Sequence, residues 1–148
     1  MERFQFLPHL ATLAAAYLLA LPIGWNRERA ERSAGLRTFP LVAIAACGFI
    51  LAAEAGMAET PEALARIVQG VVVGIGFVGG GAILKTGETV HGTATAASLW
   101  ATAAIGVAVA LGAHDVAIAL AATTFATLKL TTPFKAEGVG PEARKSDS

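Results

Sequence analysis

The stretch Ile67 to Leu84, IVQGVVVGIGFVGGGAIL, decides how this chain folds. It is an apolar run of roughly the length that crosses a bilayer as a helix. It also carries glycine at positions 70, 74, 76, 79, 80 and 81. In water each such glycine costs a helix roughly 1 kcal/mol relative to alanine. In lipid, where no hydrophobic effect drives helices together, glycine lets two backbones approach closely. Gly70/Gly74 and Gly76/Gly80 are small-xxx-small pairs of that kind. The segment reads as a packing helix of a membrane bundle, expected at its centre, with Gly70, Gly74, Gly76, Gly79, Gly80 and Gly81 as packing positions.

A second motif overlaps the first. Gly74 to Gly79 matches the G-x-G-x-x-G dinucleotide fingerprint. That motif needs a preceding strand, a following helix and an acidic residue about 20 positions on. Leu99, Trp100 and Ala101 stand there instead. The phosphate-loop pattern fails as well, because Leu84 occupies the place of its second glycine. No cofactor is expected.

Working outward, apolar runs recur at about Leu7–Trp25, Leu36–Ala53, Thr93–Gly112 and Val116–Thr132. With the glycine segment they make about five transmembrane helices, each long enough to cross about 30 Å of hydrocarbon. Hydrophobic residues are 55% of the chain and charged ones 15%, which favours a bilayer over a soluble core. Nothing alternates with period two, so the fold class is an all-α polytopic membrane helix bundle over residues 1–132. The N-terminal run has little positive charge ahead of it and no clean cleavage site, and reads as a retained span. Residues 133–148 read as a polar, disordered cytoplasmic tail.

The loops set the orientation. Arg27, Arg29, Arg32 and Arg37 follow the first span, whereas Glu54, Glu59 and Glu62 face one Arg66 after the second. Lys85 follows the third span, and Lys135, Arg144 and Lys145 follow the fifth. The positive-inside rule then puts the N-terminus out and the C-terminus in the cytoplasm.

Few residues suggest chemistry. His9, His91 and His114 fall at different ends of the spans, so no shared metal site is expected and no metal-binding set is assigned. Thr93 or Thr95 reads as the cap of the fourth span. Ser98, Thr102, Gly106 and Ala110 form a small-residue stripe along that span. Trp100 lies inside it and is expected to pack on another helix. Thr123, Thr127 and Thr131 share a face that either lines a polar path or bonds to its own backbone. The net charge of zero gives no hint of nucleic acid, and no nucleophile has a triad-like setting, so no enzyme is expected. Cys47 reads as a small buried hydrophobe.

Two ordered blocks resemble the MgtC/SapB family of bacterial membrane proteins. The first is Gly24-Trp25-Asn26-Arg27-Glu28-Arg29 with Ala34-Gly35-Leu36-Arg37-Thr38, similar to that family's G-L-E-R-E and A-G-L-R-T pattern. The second runs from Gly74 to Gly81 and continues from Gly92-Thr93-Ala94-Thr95 through Trp100 to Gly106. Asn26, Gly80 and Ala94 depart from the pattern, and the Asn26 change weakens any mechanism that needs two adjacent acids. Many relatives carry a soluble C-terminal domain after the bundle, whose functions are not carried over.

The resemblance implies a multi-pass protein of the bacterial inner membrane linked to magnesium limitation. It favours a modulator of other membrane proteins, ATP synthase among them, over a magnesium transporter. A transporter of ions or small solutes and a structural membrane subunit are the competing classes. The functional edge is expected at Asn26, Arg27, Glu28, Arg37, Thr38 and Thr95. Expected partners are the lipid bilayer, another membrane protein and a second copy of the chain.

Overall fold

The computed structural model describes residues 6–30, 34–56, 60–87 and 89–137, with side chains to Leu130. Arg32, Glu59 and the tail from Gly138 onward lie outside the described residues. Five helices and one short hairpin follow in order: α1 (Phe6–Ala30), α2 (Thr38–Gly56), α3 (Pro61–Gly81), β1 (Leu84–Thr86), β2 (Thr89–His91), α4 (Thr93–Ala110) and α5 (His114–Glu137). Helices α1 to α4 are long and apolar enough to cross a membrane. The chain is an all-α membrane bundle, as the apolar runs require. Helix α5 continues to Glu137, five residues past the expected end at Thr132, and so takes in the first part of the expected tail.

Local chemistry fixes the ends. Helix α3 opens on Thr60, whose side chain accepts from the Ala63 N–H at 3.2 Å, with Pro61 at the first helical position and Glu62 in the first turn. This satisfies one free amide and places an acid at the positive end of the helix. Helix α4 ends in a Schellman turn: Ala113 N–H donates to Ala108 O at 2.9 Å and Gly112 N–H to Val109 O at 3.1 Å. Gly112 takes the left-handed conformation this turn needs, with φ 73°. The turn leads straight into α5 and holds the two helices as neighbours.

The polar stretch between α3 and α4 folds as a hairpin, which the sequence reading leaves as a plain turn. Lys85 pairs with Val90 and Thr86 with Thr89.

The centre of the bundle is α4, and this corrects the expectation that the glycine-rich helix sits there. Helix α4 packs against α1, α2, α3 and α5. Half of its apolar span is buried, against 6% of that of α3. Of the stripe Ser98, Thr102, Gly106 and Ala110, the first three are buried and Ala110 is half-buried. At Gly106 the backbones of α4 and α2 come so close that a Cβ would overlap the Ala43 carbonyl oxygen. The core around this crossing joins Ala16, Ala20 and Ile23 of α1 to Phe39, Ala43 and Cys47 of α2 and Leu99, Ile105 and Val109 of α4.

Helix α3 lies at the periphery and leans on α4 through Ile75 and Gly79. A Cβ at Gly79 would stand 3.4 Å from Ala96 O, an ordinary contact. Gly70, Gly74, Gly76, Gly80 and Gly81 have open space where a Cβ would go. Within one chain they are not packing positions. Trp100 is half exposed, at the edge of a cleft where α3, α4 and α5 meet beside Val72 and Val116.

Candidate functional site

The expected edge is built where α1 ends and α2 begins. Helix α1 carries Ala16, Ala20, Ile23 and Gly24 on its inward face, and Arg27 continues that face by one turn. Arg27 is therefore 5% exposed, a charge drawn into the bundle end. Its Nη2 reaches Asn26 Oδ1 at 3.4 Å. The next residue turns outward: Glu28 is exposed, and its Oε2 accepts from the Leu36 N–H at 2.9 Å. That bond ties the last turn of α1 to the turn entering α2, where a carboxylate also suits the positive helix end.

Two glycines make the tie possible. A Cβ at Gly35 would overlap the Glu28 carboxylate, and a Cβ at Gly24 would crowd Gly35 O and Phe39 Cβ, each at 3.2 Å. Sequence reasoning missed the role of both, although the A-G-L-R-T block contains Gly35. Phe39 N–H then donates to Gly35 O at 3.1 Å, which starts α2.

Of the expected edge, the structure brings Asn26, Arg27, Glu28, Arg37 and Thr38 together along this junction. Arg37 is exposed and Thr38 half-buried. Thr95 lies on α4, with no exposed surface, one turn before Leu99 of the core. Neither Thr93 nor Thr95 caps α4. The cap is Gly92, with φ 84° and no side-chain bond, because the hairpin returns the chain against Ala82 O where only glycine fits. Ala96 N–H donates to Gly92 O at 2.8 Å.

Several hydroxyls of the spans bond to carbonyls of their own helices. Ser98 Oγ donates to Ala94 O at 2.8 Å and Thr102 Oγ1 to Ser98 O at 2.7 Å. Thr123 and Thr127 face outward and donate to Ala119 O at 2.7 Å and Thr123 O at 2.8 Å. These two threonines line no path through the bundle. The side chain of Thr131 lies outside the described residues. Among the described residues no three His, Cys, Asp or Glu side chains gather as a metal site.

The family model described as MgtC family matches residues 13–137, from within α1 to the end of α5. The chain belongs to the MgtC family. Protein MgtC of Salmonella typhimurium strain LT2 is 44% identical over 118 residues, covering 80% of this chain and 50% of that protein. Protein MgtC of Brucella abortus strain 2308 is 42% identical over 115 residues, covering 78% of this chain and 47% of its own. The chain thus spans about half the length of these MgtC relatives. No solved structure matches it.

Proposed function

We propose that this MgtC-family chain is a non-enzymatic protein of the bacterial inner membrane that serves Mg²⁺ homeostasis or stress adaptation by acting on a partner membrane protein. The observation that carries the reading is the state of α3. This span is buried by its own chain only at Ile75 and Gly79. Val73, Gly76, Phe77 and Gly80 lie on one outward stripe, and Phe77 is 86% exposed. Glycine in an apolar helix sacrifices side-chain packing unless another backbone comes close. A stripe of this composition suits a helix of a second protein.

The arginine edge supports a different role from the one the sequence suggests. Arg27 and Thr95 are buried, and Glu28 holds the junction between α1 and α2. The edge shapes the bundle end, and α3 carries the contact. The transporter reading loses the support of Thr123 and Thr127, whose hydroxyls turn to their own backbone.

Photo-crosslinking in cells grown at low Mg²⁺ tests the proposal. A crosslinking amino acid at position 77 should capture a membrane protein, identified by mass spectrometry, that the same probe at Ile118 on α5 does not. Capture of only a second copy of the chain, or of lipid alone, would defeat the partner reading.

A further inference from the structure

Helices α1 and α2 leave an apolar groove on their outer side, with a volume of about 760 Å³, away from α3 and independent of the function proposed for it. Leu13, Tyr17 and Leu18 form one wall and Leu41, Ile44 and Gly48 the other. Gly48 has open space where a Cβ would go, so the groove is widened there.

Both walls continue into positive charge at the same end. Just before α2, Arg37 stands one turn ahead of Leu41, in line with the stripe that includes Ile44 and Gly48. On α1, the stripe of Tyr17 and Leu18 runs on through Leu21 to Trp25 and Arg29. Trp25 is 53% exposed, and the Arg29 guanidinium carbon lies over its ring, 5.2 Å from the centroid. Arg29 and Arg37 are both exposed. They flank the Glu28–Leu36 bond, which pins their two segments together at 2.9 Å and engages the Glu28 carboxylate with a backbone N–H. Helix α1 is 25 residues long, about 37 Å at about 1.5 Å per residue, so its last turn reaches the headgroup layer.

We infer that this groove and its arginine rim bind an anionic phospholipid. One acyl chain lies between α1 and α2, and the phosphodiester sits between Arg29 and Arg37 with Trp25 at the interface. Interfacial tryptophan and basic side chains at the cytoplasmic ends of spans favour this chemistry. The two arginines supply the charge complement, and the groove selects a lipid over a free anion.

Thermal unfolding of the purified chain in detergent tests the site, using phosphatidylglycerol, phosphatidylcholine and inorganic phosphate as probes. A ligand of the folded state raises Tm with its concentration. Phosphatidylglycerol should raise Tm, and neither other probe should match it. The double variant Arg29→Gln/Arg37→Gln should lose at least half of the rise. Gly48→Leu, which fills the groove and leaves the rim intact, should reduce it as well, and reads the site should the double variant fail to fold. An equal rise with phosphatidylcholine, or a full rise in both variants, would overturn the lipid site. A rise with phosphate alone would also overturn it, in favour of a free-anion site.

Discussion

Glu28 and Gly35 make a single unit at the residue scale. The carboxylate reaches the Leu36 N–H only because position 35 has no Cβ. Glu28→Gln keeps an acceptor oxygen and should leave Tm and abundance close to wild type. Glu28→Ala loses the bond and should cost about 1 kcal/mol, as an exposed charge-assisted bond does. Gly35→Ala should cost more, because the Cβ displaces the carboxylate and shifts the junction. Chemical denaturation in detergent orders these three, and an Ala variant at 28 as stable as wild type would remove the tie from the account. Gly92→Ala is the second sensitive point: its φ of 84° and the Ala82 carbonyl both exclude a side chain. About 1–3 kcal/mol should be lost at that position, read by the same denaturation. Neither role was legible in the sequence. A glycine in a loop motif announces itself, but which atom fills the space it leaves depends on the fold.

At the scale of elements, the five helices were legible and their places were not. Among the described residues four of them, and not the expected five, are long and apolar enough to cross a membrane. Apolar length reports that a segment crosses lipid, and it says nothing about which helix is surrounded by the others. Glycine content pointed to α3 as the centre. Its glycines, however, are spread around the helix: Gly70 and Gly74 share one side, whereas Gly76 and Gly80 share another, so no single neighbour can cover them. The better signal was the narrow stripe Ser98, Thr102 and Gly106 on α4, all three of which are buried. Gly106→Leu should therefore destabilise the bundle by about 3 kcal/mol, since backbone must move at the Ala43 crossing. Gly76→Leu has open space and should leave the melting profile unchanged or slightly raised. Equal loss at both positions would contradict the placement of α3 at the periphery. The hairpin between α3 and α4 escaped the sequence reading because strands of three residues carry too little alternation to register.

For the whole molecule, the proposed function puts stability and partner contact on different helices. The core runs through α1, α2, α4 and α5, and α3 is held to it along one edge. A protein that acts through a partner in the membrane needs such a surface, stable without the partner and open to it. The alternating charge of the loops is what the positive-inside rule expects of an arginine junction on the cytoplasmic side. The most direct measurement is growth under Mg²⁺ limitation of cells whose own copy is replaced by the Gly76→Leu/Gly80→Leu variant, with abundance and Tm measured on the same protein. The account requires normal abundance, an unchanged melting profile and lost growth. Normal growth from that variant would contradict it, and the outer face of α3 would then be a lipid-facing surface with no partner.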